Sequence, residues 1–331
     1  MSAPGPPLDP AGTLHPSDLA NVRAQEAAKR ALEVAAAGGH SILLIGPRSS
    51  GKTLLARCLA GILPEPTPDE RQAIADTYHR AKLEPPTGRP FRAPHFSTRP
   101  LALVGRRRPG EVDLARGGGL VLDDLSSFGR RSLRVLRQAI EEGTGTVVAG
   151  RVAVDHLPFL LVGAMRSCPC GNEGSAYREC TCTARALDRH WAPVEEHLLD
   201  LVHLCVEVPA LCLCEYLGGP GETSAQVLER VQAARDRQLS RPDQDTLNAN
   251  LRPWALPKVC EPDAKGRQLL DTAFDRLGLT IRETGIILRV ARTTADLAGA
   301  ETPGAPHIAE SIQYRSLARR RHGPRAGGDD R

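Results

Sequence analysis

The eight residues Gly46–Thr53, G-P-R-S-S-G-K-T, constrain this chain more than any other stretch. They lie between a short apolar run, Ser41–Ile45, and a helix-forming run through Leu54, Leu55 and Leu59. The spacing G-x4-G-K-T is that of a loop whose successive backbone N–H groups turn inward to hold phosphate oxygens. A helix N-terminus behind such a loop adds its own unpaired N–H groups and dipole. Gly46, Pro47, Arg48, Ser49, Ser50 and Gly51 form the cradle, Lys52 supplies a point charge to the β and γ phosphates, and the Thr53 hydroxyl is a Mg²⁺ ligand. The loop therefore predicts a bound nucleoside triphosphate, ATP with Mg²⁺.

The remaining pattern is that of an α/β protein. Leu120–Leu122 is a buried strand ending in two acids, Asp123 and Asp124. Asp123 is expected to hold Mg²⁺ through water, and Asp124 is the candidate base that orients an attacking water. Helices are expected over Asn21–Ala37 and Ser127–Glu142, the latter with Leu133, Leu136 and Ile140 on one face, and a further strand over Phe159–Met165. Strands separated by helices imply a parallel sheet. Thr146–Asp155 alternates around Gly150 and reads as a hairpin, and residues 83–118 read as loops and hairpins.

After Pro209 the character becomes helical. Thr223-x-x-Gln226 resembles a capping box before Val227, Val231 and Ala234, and two further apolar faces follow, Leu269–Leu277 and Ile286–Leu297. The chain has 331 residues, enough for two domains with separate cores. The expected organisation is a disordered segment over 1–16, a nucleotide-binding core over 17–210 with a cysteine-rich loop at 168–182, an all-helical lid over 211–318, and a basic disordered tail over 319–331.

Net charge is +4, too mild to imply nucleic acid by itself. Positive charge is clustered at Arg106–Arg108 and at Arg315, Arg319, Arg320, Arg321 and Arg325, each either solvated or a polyanion contact. No apolar stretch is long enough to span a bilayer, which with the Pro-rich start reads as a cytoplasmic protein with no membrane partner. The nine cysteines then read as thiols or metal ligands rather than disulfides. Cys168-x-Cys170 and Cys180-x-Cys182 could enclose Zn²⁺ tetrahedrally, although one residue within each pair is tight; free thiols are the alternative. Cys58, Cys205, Cys212, Cys214 and Cys260 read mostly as core, Cys212-x-Cys214 repeating the same form.

Several strings resemble the magnesium-chelatase-like family of AAA+ ATPases, in its competence-associated ComM-type branch. They are residues 18–40, RPFRAPHF at 89–96, RPGEVDLARGG at 108–118, CPCG at 168–171, ECTCT at 179–183, LCVEVP at 204–209 and LRVARTTADLAG at 288–299. The likeness covers roughly residues 17–318, and the cysteine cluster favours this branch over the chelatases proper. It implies an AAA+ P-loop core with a parallel sheet, a C-terminal helical lid, and a homo- or hetero-oligomeric ring with ATP between neighbours. It also implies either a DNA-dependent motor acting on branched DNA or, in the chelatase branch, a subunit driving metal insertion. Members of the branch carry a protease-like domain before the core, which this sequence is read as lacking.

Against the family pattern, several positions that turn binding into hydrolysis are changed. Arg48 and Ser49 replace a Pro and a Gly, and Ser49 takes a positive φ less freely than Gly. Asp124 replaces a Glu and is one methylene shorter. Arg166 replaces the polar sensor Asn; it could touch phosphate but cannot accept a hydrogen bond from water. In L-L-D-L-V-H, Leu201 takes the place of the arginine finger, with Arg189 upstream as a possible substitute. Arg282 matches the lid arginine that senses the γ-phosphate, with Arg289 a nearby second choice. The expectation is ATP binding with weakened hydrolysis, in DNA processing or as a regulatory subunit. An active motor and a chelatase-type subunit are the alternatives.

Overall fold

The computed structural model describes residues 14–141, 157–242 and 244–322, with side chains as far as 316. Five strands form one parallel sheet: β1 (Ile42–Gly46), β2 (Phe91–Arg92), β3 (Gly119–Leu122), β4 (Leu160–Arg166) and β5 (Leu204–Glu207). Their order is β2-β3-β4-β1-β5. β1 and β4 are central, with Ile42 opposite Val162 and Gly46 opposite Arg166. Their Leu, Ile and Val side chains are buried on both faces, as a sheet covered by helices on each side requires. The sheet order puts the ends of β1, β3 and β4 side by side, so the loops leaving them share one rim.

The helices of the α/β part are α1 (Glu26–Gly38), α2 (Lys52–Ala60), α3 (Pro68–Ala81), α4 (Pro100–Val104), α5 (Glu111–Leu114), α6 (Arg130–Glu141) and α7 (Ala184–His197). One face of the sheet packs on α1 and α2 through Ala28, Leu32, Ala35, Leu55 and Leu59. The other packs on α6 and α7 through Leu133, Leu136, Trp191 and Val194. α1 begins at Glu26 rather than Asn21, the residues before it forming a 3-10 turn over Leu19–Asn21 whose N-cap is Asp18.

The stretch 83–118, expected as loops and hairpins, instead contains β2, α4 and α5, and β2 joins β3 in parallel rather than in a hairpin. Proline accounts for the difference. Pro100 sits in the first turn of α4, where its missing N–H costs nothing. The same holds for α3, whose N-cap Thr67 forms a reciprocal capping box with Glu70 behind Pro68. The hairpin expected over 146–155 lies outside the described residues.

The C-terminal third is helical: α8 (Leu213–Tyr216), α9 (Ser224–Leu239), α10 (Leu256–Val259), α11 (Ala264–Leu277), α12 (Ile281–Leu297) and α13 (Ala305–His322). Thr223 and Gln226 make the expected capping box on α9. The two regions do not have fully separate cores. Val227, Val231 and Ala234 of α9 and Ile286 and Val290 of α12 share one apolar cluster with α1 and β1. A smaller cluster of Leu270, Ala273, Leu279, Ile287, Ala291 and Ile308 belongs to the helical region alone.

The described residues at the inner borders of the two segments read as disordered are structured. Leu14 is buried and its N–H donates to the Phe91 carbonyl at 2.8 Å, within the segment read as disordered. Residues 1–13 lie outside the described residues. α13 runs to His322, into the segment read as a tail. Arg315, counted with the basic cluster, is buried and donates to the Val202 carbonyl at 2.6 Å. Among the described residues no helix is long and apolar enough to cross a membrane.

Candidate functional site

The phosphate loop leaves the C-terminal end of β1 and enters α2 directly. Gly51 is the N-cap of α2 with φ +92°, a left-handed conformation that glycine adopts without penalty. Ser49, in place of a family glycine, is held at φ +63°. The loop thus keeps its shape at a conformational cost of roughly 1 kcal/mol at that residue. Lys52 is buried and folds back on its own loop, donating to the carbonyls of Gly46 at 3.0 Å and Pro47 at 2.6 Å and to Ser50 Oγ at 3.1 Å. Burial lowers its pKa to about 8, although Asp123 pulls the other way.

Thr53 and Asp123, both expected from the sequence as Mg²⁺ ligands, lie against each other. Thr53 Oγ1 donates to Asp123 Oδ2 at 3.0 Å across the rim of the sheet. A hydroxyl and a carboxylate oxygen side by side are the hard donors Mg²⁺ takes while keeping most of its waters, so the donor set fits that ion.

Asp124 and Arg166 meet too, and this was not foreseen. Asp124 follows Asp123 at φ +50°. Its carboxylate accepts from Arg166 Nε at 3.1 Å, Arg166 Nη2 at 3.3 Å and Ser127 Oγ at 2.6 Å. Arg166 ends β4, whose neighbour β3 carries the acids, so the pairing follows from strand adjacency. The two family departures, a shortened acid and an arginine for a polar sensor, are therefore one ion pair. The residue expected to orient water is engaged by the residue expected to sense phosphate.

The structure does not bring Arg282 to the phosphate loop of its own chain. Its Nη1 lies 3.0 Å from Asp200 Oδ2, and its Nη2 lies 3.9 Å from Glu141 Oε1. It lines one cleft with Leu201 and Ser41, the residue that precedes β1. Lys52 lies beyond the other end of β1, about 15 Å away along the strand direction. Arg137, which the sequence did not single out, grips Asp200 with both terminal nitrogens at 2.8 Å. Burial would raise the Asp200 pKa, but the Arg137 hydrogen bonds and the Arg282 charge hold it below the usual carboxylate value. Arg289 donates to the Leu251 carbonyl from Nε at 3.0 Å. Leu201 packs against the α6/α7 core, and Arg189 is exposed on α7.

The four cysteines come together. Sγ of Cys168, Cys170, Cys180 and Cys182 all lie within 4.8 Å of one another. The spacings are 3.3 Å for Cys168–Cys170, 3.7 Å for Cys170–Cys180 and 3.6 Å for Cys168–Cys180. A tetrahedron with Zn–S of about 2.3 Å has sulfur edges of about 3.8 Å, so four thiolates here fit that ion. Backbone N–H groups of Glu173 and Cys170 point at Cys168 Sγ and Cys182 Sγ, at 3.3 and 3.4 Å. Of the other cysteines, Cys58, Cys205 and Cys260 are buried thiols as expected. Cys212 and Cys214 are neither core nor free thiols: they form a disulfide across the first turn of α8, Cys212 being its N-cap, and Leu213 and Tyr216 of that helix are exposed.

A parallel sheet of this order, with a phosphate loop after β1, paired acids after β3 and a helical region following it, is that of the AAA+ class of P-loop proteins. Residues 18–215 match the family described as magnesium chelatase, subunit ChlI, and residues 221–315 match its C-terminal domain. The chain belongs to this magnesium-chelatase family, on its ComM-type side. It is 37% identical over 318 residues to the competence protein ComM of Haemophilus influenzae, covering 91% of this chain and 60% of the relative. Similar relatives are the uncharacterized protein YifB of Escherichia coli, 37% identical over 325 residues with 95% and 63% covered, and its Salmonella typhimurium counterpart, 38% over 319 residues with 92% and 61% covered. The chain thus spans about 60% of the length of these relatives. Family membership supports an AAA+ ATP-binding protein.

Proposed function

We propose that this chain binds ATP with Mg²⁺ at Gly46–Thr53 and Asp123 and hydrolyses it weakly. The observation that carries this reading is the Asp124–Arg166 pair: the loop keeps Lys52 and Thr53, while the carboxylate that would orient water is occupied at 3.1 and 3.3 Å by a guanidinium. Leu201 in place of a finger arginine supports the same reading, because a finger acting on a neighbour's ATP is worth roughly 10³–10⁵ in rate. Arg282, held at Asp200 on the far side of the sheet, would reach only the nucleotide of an adjacent subunit.

The domains are a nucleotide-binding core over 17–210 and a helical lid over 211–318. AAA+ proteins commonly assemble into rings, and a homo- or hetero-oligomeric ring in the cytoplasm is the proposed state. Zn²⁺ at the four cysteines is part of this reading. The role is in DNA processing or as a regulatory subunit, supported by the competence protein among the relatives and by three consecutive exposed arginines, Arg106–Arg108.

Steady-state ATP turnover in the presence and absence of branched DNA tests the proposal. Turnover near background is expected under both conditions. Vigorous turnover that disappears in Lys52→Ala would contradict it.

A further inference from the structure

The cysteine loop lies directly on the phosphate loop. Arg48 N–H donates to the Gly171 carbonyl at 2.8 Å, and Ser167 N–H donates to the Gly46 carbonyl at 3.3 Å. Arg166 Nη1 donates to the Pro169 carbonyl at 3.0 Å, so the arginine that grips Asp124 also grips the cysteine loop. Gly171 has φ +78°, and a Cβ there would lie 3.2 Å from Arg48 Cβ. Gly174 lies less close, an added Cβ there standing 3.8 Å from Glu207 Oε1 and 3.9 Å from Pro47 Cδ. The first half of the phosphate loop is thus braced by residues between the two cysteine pairs.

That brace has little structure of its own. From Gly171 to Cys182 the chain forms neither helix nor strand. What closes it is the meeting of Cys168 and Cys170 at one end with Cys180 and Cys182 at the other. A metal joining these ends would remove chain freedom between them and fix the Gly171 carbonyl, as a cross-link does.

We propose that occupancy of the Cys168–Cys170–Cys180–Cys182 centre by a thiophilic divalent cation, Zn²⁺, sets the nucleotide affinity of the phosphate loop through the Gly171–Arg48 contact. This rests on the nucleotide-binding reading above. Loading releases the remaining thiol protons to solvent and leaves four thiolates around one divalent cation, two net negative charges. Arg48 and Arg166 both touch the loop that would carry that charge. Coupling between two sites is reciprocal, so bound nucleotide must tighten the metal by the factor with which the metal tightens the nucleotide.

The test uses the full chain, stripped with a chelator, dialysed, and reloaded with Zn²⁺ alone. Zinc affinity is read by competition with a chromophoric chelator, and Mg·ATP affinity by calorimetry, each with and without the other ligand. The expected result is one zinc per chain and a mutual tightening of about fivefold or more. Cys182→Ser should lose zinc and show the Mg·ATP affinity of stripped protein. Cys260→Ala, in a separate apolar cluster of the helical region, should change neither. If zinc and Mg·ATP both bind and neither alters the other, the coupling is wrong and the nucleotide reading stands. If no zinc binds, the inference fails and the nucleotide reading again stands. If Mg·ATP binds neither form, both fail. Should Cys182→Ser not fold, the wild-type titrations decide alone.

Discussion

If hydrolysis is weak as proposed, removing the Asp124–Arg166 pair should raise turnover, and the structure sets how much. The Asp124 carboxylate carries two guanidinium contacts, at 3.1 and 3.3 Å, and the Ser127 hydroxyl at 2.6 Å. To accept a proton from water it must give up the guanidinium. Both side chains are partly exposed, 25% for Arg166 and 36% for Asp124, so the pair is worth about 1 kcal/mol, roughly fivefold in rate. The shorter acid adds a second loss, because a misplacement of about 1 Å costs about 10²-fold. Arg166→Asn alone should therefore raise turnover about fivefold. Asp124→Glu alone should gain less than the reach argument allows, since Arg166 still engages the longer acid. The double variant should gain on the order of 10²–10³. Adding Leu201→Arg should contribute a separate gain, visible only at concentrations where subunits meet. The assay is multiple-turnover phosphate release under saturating Mg·ATP, with binding measured on each variant. A double variant that binds Mg·ATP normally and stays within about threefold of wild type would refute the reasoning.

Other perturbations follow from the same geometry. Ser49→Gly should relieve the residue held at φ +63° and stabilise the nucleotide-free protein by about 1 kcal/mol, read as a raised urea midpoint with unchanged slope. Because burial lowers the free Lys52 pKa to about 8 and bound phosphates need its charge, Mg·ATP binding at pH 9 should take up close to one proton, against about a tenth at pH 7. Calorimetry in buffers of different ionisation enthalpy measures that uptake, and equal proton numbers at both pH values would count against it. Before nucleotide binds, the unfolded chain holds this proton up to a higher pH than the folded chain, so Lys52 makes folding more favourable as pH rises through about 8. Asp200→Asn should cost about 1 kcal/mol of stability at neutral pH through the lost charge on Arg137 and Arg282. The Asp200 pKa is lowered on folding, so its contribution is present above the unfolded value of 3.8 and fades as pH falls through the folded one. Urea unfolding of both proteins from pH 7 down to pH 3 should show the gap closing.

Much of the fold was legible because its signals are local. The loop G-x4-G-K-T needs a strand before it and a helix after it, and β1 and α2 stand there. Thr223 and Gln226 announced α9 by their spacing. The same signal stands at Thr67-Pro68-x-Glu70 and marks α3, with Pro68 in the helix's first turn. What the sequence could not display is adjacency. Asp124 and Arg166 looked like two independent losses until β3 and β4 proved to be neighbours. Arg282 looked like a phosphate sensor by its place in a string, yet its position depends on how α12 docks at the far end of the sheet, where Arg137 and Asp200 wait. Arg315 looked like part of a basic surface because charge patterning does not register that a guanidinium can be buried on a carbonyl. The tight spacing within each cysteine pair looked awkward for a metal, and the four sulfurs nonetheless converge because Gly171 turns the loop back on itself.

The most direct measurement of the central claim is calorimetric titration of Mg·ATP into wild-type protein and into Lys52→Ala. A saturable one-to-one association in the first, absent from the second and unaccompanied by appreciable phosphate release over the experiment, is the predicted result. No association in the wild type, or rapid consumption of the ligand, would contradict it.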